Sequence, residues 1–148
     1  MFSGAYEHSV DSKGRTVIPA KFRAMLGERF VLTKGLNGCL WIFSESVWPD
    51  VQKKLTPKSF LDQRRIMLER FFLGSAMECV PDRQGRVAIP AHLLEHAGIE
   101  NEIWIVGLSD KIEIWSKPRW EELNAKLTDD ALARLAAEVE DEQASTDG

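Results

Sequence analysis

The sequence predicts a mainly β protein of the α+β class, with short helices, made of two tandem copies of one small module. Three observations predict it: an internal repeat, an Asp-x-x-Gly turn that opens each copy, and short apolar strand patterns separated by turn residues. Aligned without gaps, Ala5–Gly27 and Ala76–Gly98 are identical at nine of 23 positions: Ala5/Ala76, Glu7/Glu78, Asp11/Asp82, Gly14/Gly85, Arg15/Arg86, Ile18/Ile89, Pro19/Pro90, Ala20/Ala91 and Gly27/Gly98. After a one-residue shift, Leu40–Phe43 matches Ile112–Trp115, Trp48 matches Trp120 and Leu55 matches Leu127. Residues 5–56 and 76–128 are therefore two copies, with cores of about 5–47 and 76–119. Residues 57–75 connect them, and 129–148 form an acidic C-terminal helix and tail.

Each copy reads alike. An extended segment (Tyr6–Val10; Met77–Val80) leads into Asp11–Gly14 or Asp82–Gly85. The Asp carboxylate accepts turn N–H bonds, and Gly supplies positive φ. Arg15 and Arg86 open a returning strand ending at Ile18 and Ile89, so a hairpin is expected across each turn. Pro19 and Pro90 suit the first position of a helix, which Gly27 or Gly98 ends after about two turns. Two strands follow: Phe30–Thr33 with Leu40–Phe43, and Ile103–Val106 with Ile112–Trp115. Ser46 and Ser116 are expected to cap the helices carrying Trp48 and Trp120. A four-stranded unit of this size buries little core alone, so two copies should cover each other in one pseudo-two-fold body.

A linker helix, Ser59–Phe72, would carry Phe60, Leu61, Met67, Leu68, Phe71 and Phe72 on one stripe against that body. Arg64, Arg65 and Arg70 would then face solvent. A last helix is expected from Thr128, its N-cap, to about Glu140, with Leu132, Leu135, Ala136 and Val139 at helical spacing. Trp41, Trp48, Trp115 and Trp120 fall at apolar-periodic positions and are expected in the core.

The net charge of −4 conceals an asymmetry. Residues 1–76 carry 12 Lys and Arg against 7 Asp and Glu, whereas residues 77–148 carry 7 against 16. One face can thus be basic in an acidic chain. No apolar run is long enough to span a bilayer, and no signal peptide opens the chain, so a cytoplasmic protein is expected, with Cys39 and Cys79 as buried, reduced thiols.

Met1-Phe2-x-Gly4, Asp11-Ser12-Lys13-Gly14-Arg15, Ile18-Pro19-Ala20-Lys21-Phe22-Arg23 and the second Asp82-x-x-Gly85-Arg86-x-x-Ile89-Pro90-Ala91 together resemble the MraZ family, whose members carry two AbrB-like (SpoVT-AbrB) domains. The resemblance runs from Met1 to about residue 140. It implies swapped-hairpin, double-split β-barrel modules and a nucleoid-associated bacterial transcription regulator that oligomerises into rings. Such a regulator, expected to repress, would bind short repeated G-containing boxes upstream of the division and cell-wall gene cluster, its own gene included. The second copy departs from the first where Ser12-Lys13 becomes Arg83-Gln84 and where Lys21 and Arg23 become His92 and Leu94.

A two-stranded β-ribbon fits the major groove, and Arg can bind guanine O6 and N7 bidentately. Arg15 is the candidate base reader; Lys13, Lys21 and Arg23 suit phosphates, with Arg86 and Arg83 as the second copy's candidates. Asp11, Gly14, Pro19, Asp82, Gly85 and Pro90 are the structural residues of the turns. The competing reading of Arg15 and Arg86 is an ion pair with the turn Asp. So few cations per subunit call for several subunits on double-stranded DNA with repeated boxes.

Two other classes remain. His92-Leu93-Leu94-Glu95-His96 spells H-x-x-E-H, a zinc-hydrolase pattern, on a helix short for that purpose and with no third ligand at a defined spacing. AbrB-like modules also occur in antitoxins, which bind a toxin through a long tail. The sequence otherwise points to no enzyme, cofactor, metal or small-molecule substrate.

Overall fold

The strands on either side of each Asp-x-x-Gly turn do not pair with each other. In the computed structural model, which describes residues 1–147, they exchange partners between the repeats. The first repeat contributes β1 (Ala5–Ser9), β2 (Arg15–Val17), α1 (Ala20–Leu26), β3 (Phe30–Lys34), β4 (Leu40–Ser44) and α2 (Trp48–Leu55). After α3 (Gln63–Phe72), the second contributes β5 (Met77–Cys79), β6 (Arg86–Ala88), α4 (Ala91–Ala97), β7 (Glu102–Leu108), β8 (Lys111–Ser116) and α5 (Lys117–Ala125), followed by α6 (Asp129–Asp147). A six-stranded antiparallel sheet runs β1-β7-β8-β4-β3-β5, and β2 and β6 form a separate two-stranded ribbon. The α+β class is as expected. The expected local hairpins are corrected: β1 pairs with β7 and β5 with β3, each across the repeat boundary.

The register carries the pseudo-two-fold. Thr16 faces Val87 in the ribbon, and Trp41 faces Glu113 in the sheet; both are pairs of equivalent residues. Alternation explains the exchange. Thr16 and Val87 point inward and are buried, as are the flanking Ile18 and Ile89, so each short strand needs the other repeat to close its core side. A continuous cluster results, with Phe22, Phe30, Leu32, Leu40, Ile42, Leu93, Ile103, Ile105, Ile112 and Ile114 at its centre. The N-terminal Met-Phe-x-Gly belongs to it. Phe2 is buried, meets Phe22 edge-on at 5.8 Å, and exchanges backbone bonds of 2.9 and 2.8 Å with Ser109. A Cβ at Gly107 would stand 2.5 Å from the Ser3 nitrogen, so only glycine lets this segment lie down.

Helix ends follow local chemistry. Pro19 and Pro90 are the extended N-cap residues, one position earlier than expected, and α1 and α4 begin at the next alanine. Gly27 and Gly98 close them with φ of 82° and 62°. Ser44, not Ser46, accepts the Val47 N–H at the start of α2. Thr128 Oγ1 accepts the Ala131 N–H at 3.2 Å, as expected of an N-cap. Helix α6 runs past Glu140, and Leu132, Leu135 and Val139 are exposed on it; Gly148 lies outside the described residues.

The linker differs most from expectation. Helix α3 starts at Gln63, where Asp62 accepts the Arg65 N–H and holds its guanidinium at 3.0 Å. Phe60 and Leu61 precede the helix and are exposed, as are Met67 and Leu68. The C-terminal end docks most deeply. Phe72 is buried and stacks on Trp41 at 5.4 Å, and its carbonyl accepts the buried Thr33 hydroxyl at 2.6 Å. The Asp62 cap overrides the apolar periodicity that suggested a longer helix. Of the tryptophans expected in the core, Trp115 is buried; Trp41, Trp48 and Trp120 are half-buried.

The chain divides into two units, Met1–Lys117 and the segment from Pro118 onward; the first holds both sheets. Among the described residues, no helix is long and apolar enough to cross a membrane. Cys39 and Cys79 are free and buried. Burial, with Glu113 beside it, pushes the Cys39 thiol far up; burial, with Glu78 nearby, pushes Cys79 up to about 11.

Two outcomes are expected. Thr16 Oγ1 is buried without a hydrogen-bond partner among the described residues, where the other repeat has Val87. Thr16→Val should therefore raise unfolding stability by about 1 kcal/mol, read from the urea midpoint, because an unpaired buried hydroxyl is removed. Both thiols should resist Ellman's reagent at neutral pH in the folded protein and react on unfolding; prompt native-state reaction would show that either site is open.

Candidate nucleic-acid interface

The two turns repeat one geometry. Asp11 Oδ1 accepts the Lys13 and Arg15 N–H groups, both at 2.9 Å, while Oδ2 accepts Arg15 Nε at 2.9 Å. In the second turn, Asp82 Oδ1 accepts Gln84 and Arg86 N–H at 2.9 Å, and Oδ2 accepts Arg86 Nε at 2.8 Å. Gly14 and Gly85 each have φ of 77°, outside the range that L side chains favour. These N–H donors, chiefly that of the arginine backbone, hold both carboxyls below their ordinary value. The turns are also clamped across the repeats: Ile89 N–H bonds Gly14 O at 2.8 Å, and Ile18 N–H bonds Gly85 O at 3.3 Å.

The ribbon between the turns sets which way the arginines face. Thr16 and Val87 point inward, so Arg15, Val17, Arg86 and Ala88 share the outer face. Arg15 stands opposite Ala88 and Arg86 opposite Val17. The two arginines are thus diagonal neighbours, with backbones roughly 7–8 Å apart. Each spends only Nε on its Asp; the terminal nitrogens have no hydrogen-bond partner among the described residues. The ion pair expected as a competing role therefore coexists with an outward guanidinium fork, and the Asp orients that fork. Arg15 and Arg86 side chains are 30% and 33% exposed, so the fork is reachable.

Lys13 and Lys21 are exposed, as is Arg83. Arg23 lies elsewhere than its place in the chain suggests. Its Nε donates to the Ile18 carbonyl at 3.0 Å, and a Cβ at Gly85 would come within 2.6 Å of its Cζ. Arg23 therefore covers the second repeat's turn. Its counterpart Leu94 covers the first, with Cδ1 3.4 Å from a Cβ built at Gly14. Sequence alone could not reveal this crossing, because it follows from strand exchange. Pro19 and Pro90 sit just after the ribbon strands and begin the two helices.

The family model described as "MraZ protein, putative antitoxin-like" matches the chain twice, over residues 1–71 and 72–142. The chain belongs to the MraZ family. A protein named Transcriptional regulator MraZ from Caldanaerobacter subterraneus subsp. tengcongensis is 47% identical over 140 residues, covering 95% of this chain and 97% of its own. One of the same name from Thermoanaerobacter sp. strain X514 is 46% identical over 141 residues, covering 95% and 98%. Another, from Acetivibrio thermocellus, is 47% identical over 121 residues, covering 82% and 85%.

In this MraZ-family chain the H-x-x-E-H residues have other surroundings. His96 Nε2 lies 3.2 Å from the Gly35 carbonyl, and its ring meets Phe71 edge-on; His92 is exposed. No group of three His, Cys, Asp or Glu among the described residues could hold a metal ion.

The turn carboxyls lend themselves to titration. A carboxyl held low in the fold stabilises it above the ordinary value of 3.8, and that contribution is lost as pH falls through the lower folded value. NMR carboxyl titrations of Asp11 and Asp82 should give midpoints below 3.8 for both. A midpoint at or above it would mean the turn bonds do not persist in solution.

Proposed function

We propose that this chain is a DNA-binding transcription regulator that reads guanine-containing boxes in the major groove with the β2·β6 ribbon. One observation carries the reading: Asp11 holds Arg15 by Nε on the outer face of the ribbon, leaving its two terminal nitrogens for a base edge. That fork matches guanine O6 and N7. Lys13 and Lys21, exposed around the same turn and helix start, suit phosphates. The relatives' names as transcriptional regulators agree with this reading.

A ribbon of three residues per strand contacts few bases, so one subunit binds weakly. We further propose that the modules at 5–56 and 76–128 act as one unit, and that several chains assemble, as a ring, on direct repeats of a short box. The box array would lie upstream of the division and cell-wall genes, including its own gene, where binding would repress transcription at the nucleoid. Avidity converts weak single contacts into stable occupancy. A second reading, an interaction protein of the antitoxin kind, draws on the wording of the family description and on the exposed Leu132, Leu135 and Val139 of α6.

The test is Arg15→Ala on a duplex spanning the region upstream of the gene. Specific binding should fall by about 1–3 kcal/mol per ribbon, with oligomer size on gel filtration unchanged. Unaltered binding by this variant would remove the ribbon as the reader.

A further inference from the structure

We propose that the second turn, Asp82–Arg86, is a DNA-phosphate contact in its own right, and that Arg23 completes it from across the repeat boundary. This rests on the DNA-binding reading above and adds a site to it. Counted along the chain, the first repeat looks like the cationic one, since it carries Lys13, Arg15, Lys21 and Arg23. Counted in space, Arg23 leaves the first turn for the second.

The crossing is firmly held. Ile18 gives its N–H to Gly85 O and its carbonyl to Arg23 Nε, so one residue ties the guanidinium to the second turn. Gly85 is buried beneath it, with no room for a Cβ. The second turn thereby gathers Arg83, Arg86 and Arg23, whereas the first turn has Lys13 and Arg15 and is covered by the hydrocarbon of Leu94. Replacing Ser12-Lys13 with Arg83-Gln84 therefore leaves the second turn cationic rather than depleted.

The chemistry selects a phosphodiester backbone. Arg23 has lost Nε to the Ile18 carbonyl, and its remaining nitrogens have no partner among the described residues. They can donate to one anionic group beside Arg83 and Arg86. Arg23 also borders a surface cleft of about 320 Å³ with Gly27, Glu28, Val80 and Pro81, and the Glu28 carboxylate disfavours an anion within that cleft. A ribbon with a cationic turn at each end can hold backbone phosphates at both ends while Arg15 faces the bases between them.

The test measures affinity of the full chain for the upstream duplex at several salt concentrations. Arg83→Gln, at an exposed position, should weaken binding roughly tenfold and lower the salt slope by about one ion. Arg23→Gln should do the same, while Arg23→Lys should keep the slope. Gln can still offer an N–H to the Ile18 carbonyl where Lys places a methylene, so a purely structural brace would be kept better by Arg23→Gln, the reverse of the order expected for a phosphate contact. In double-mutant cycles, Arg23→Gln should be non-additive with Arg83→Gln and additive with Lys13→Gln. An unchanged slope in Arg83→Gln, or coupling of Arg23 to Lys13 instead of Arg83, overturns the proposal. If Arg15→Ala abolishes binding while both second-turn glutamine variants bind as the parent chain does, the regulator reading stands and this site falls. If Arg15→Ala binds as before, the underlying reading itself fails.

Discussion

The antiparallel β2·β6 ladder is the constraint on which the rest depends. It is only three residues long, yet it joins the repeats, sets the inner and outer faces, and holds both turns. Its ends are completed by Ile89 N–H to Gly14 O and Ile18 N–H to Gly85 O. A Cβ at Gly14 would stand 3.0 Å from the Ile89 carbonyl, so the turn glycine is required by close approach as well as by positive φ. Without the ladder, Thr16 and Val87 would lose their cover and Arg15 and Arg86 their shared face.

Electrostatics then act on a prepared scaffold. Each turn arginine is pinned through Nε by an aspartate whose other oxygen accepts two backbone N–H groups. An arginine fixed this way loses less conformational freedom on meeting a rigid acceptor, which favours directional recognition over loose charge attraction. The cost is partial neutralisation by the paired carboxylate. The surplus acid lies in the C-terminal half of the chain, and α6 carries Asp129, Asp130, Glu138, Glu140, Asp141 and Glu142.

Much was legible from the residues. The repeat, the turn chemistry, the strand pairs β3·β4 and β7·β8, the glycine helix ends and the Thr128 cap all follow from local rules, and all are observed. The hairpins were misread because a turn with a tight backbone bond, Asp11 N–H to Arg15 O at 2.9 Å, looks the same whether or not its strands stay together. The linker was misread because apolar periodicity says nothing about whether a face finds a partner; among Phe60, Leu61, Met67, Leu68, Phe71 and Phe72, only Phe72 is buried.

The sequence by itself determined the module, its duplication and the turn arginine in each copy, because these depend on φ preferences, short-range hydrogen bonds and residue spacing. The partner of each strand, the common outer face of Arg15 and Arg86, and the placement of Arg23 over Gly85 were decided only by tertiary structure. Those features arise from burying two small apolar surfaces against each other, a non-directional force that acts between residues some 70 positions apart and leaves no local signature.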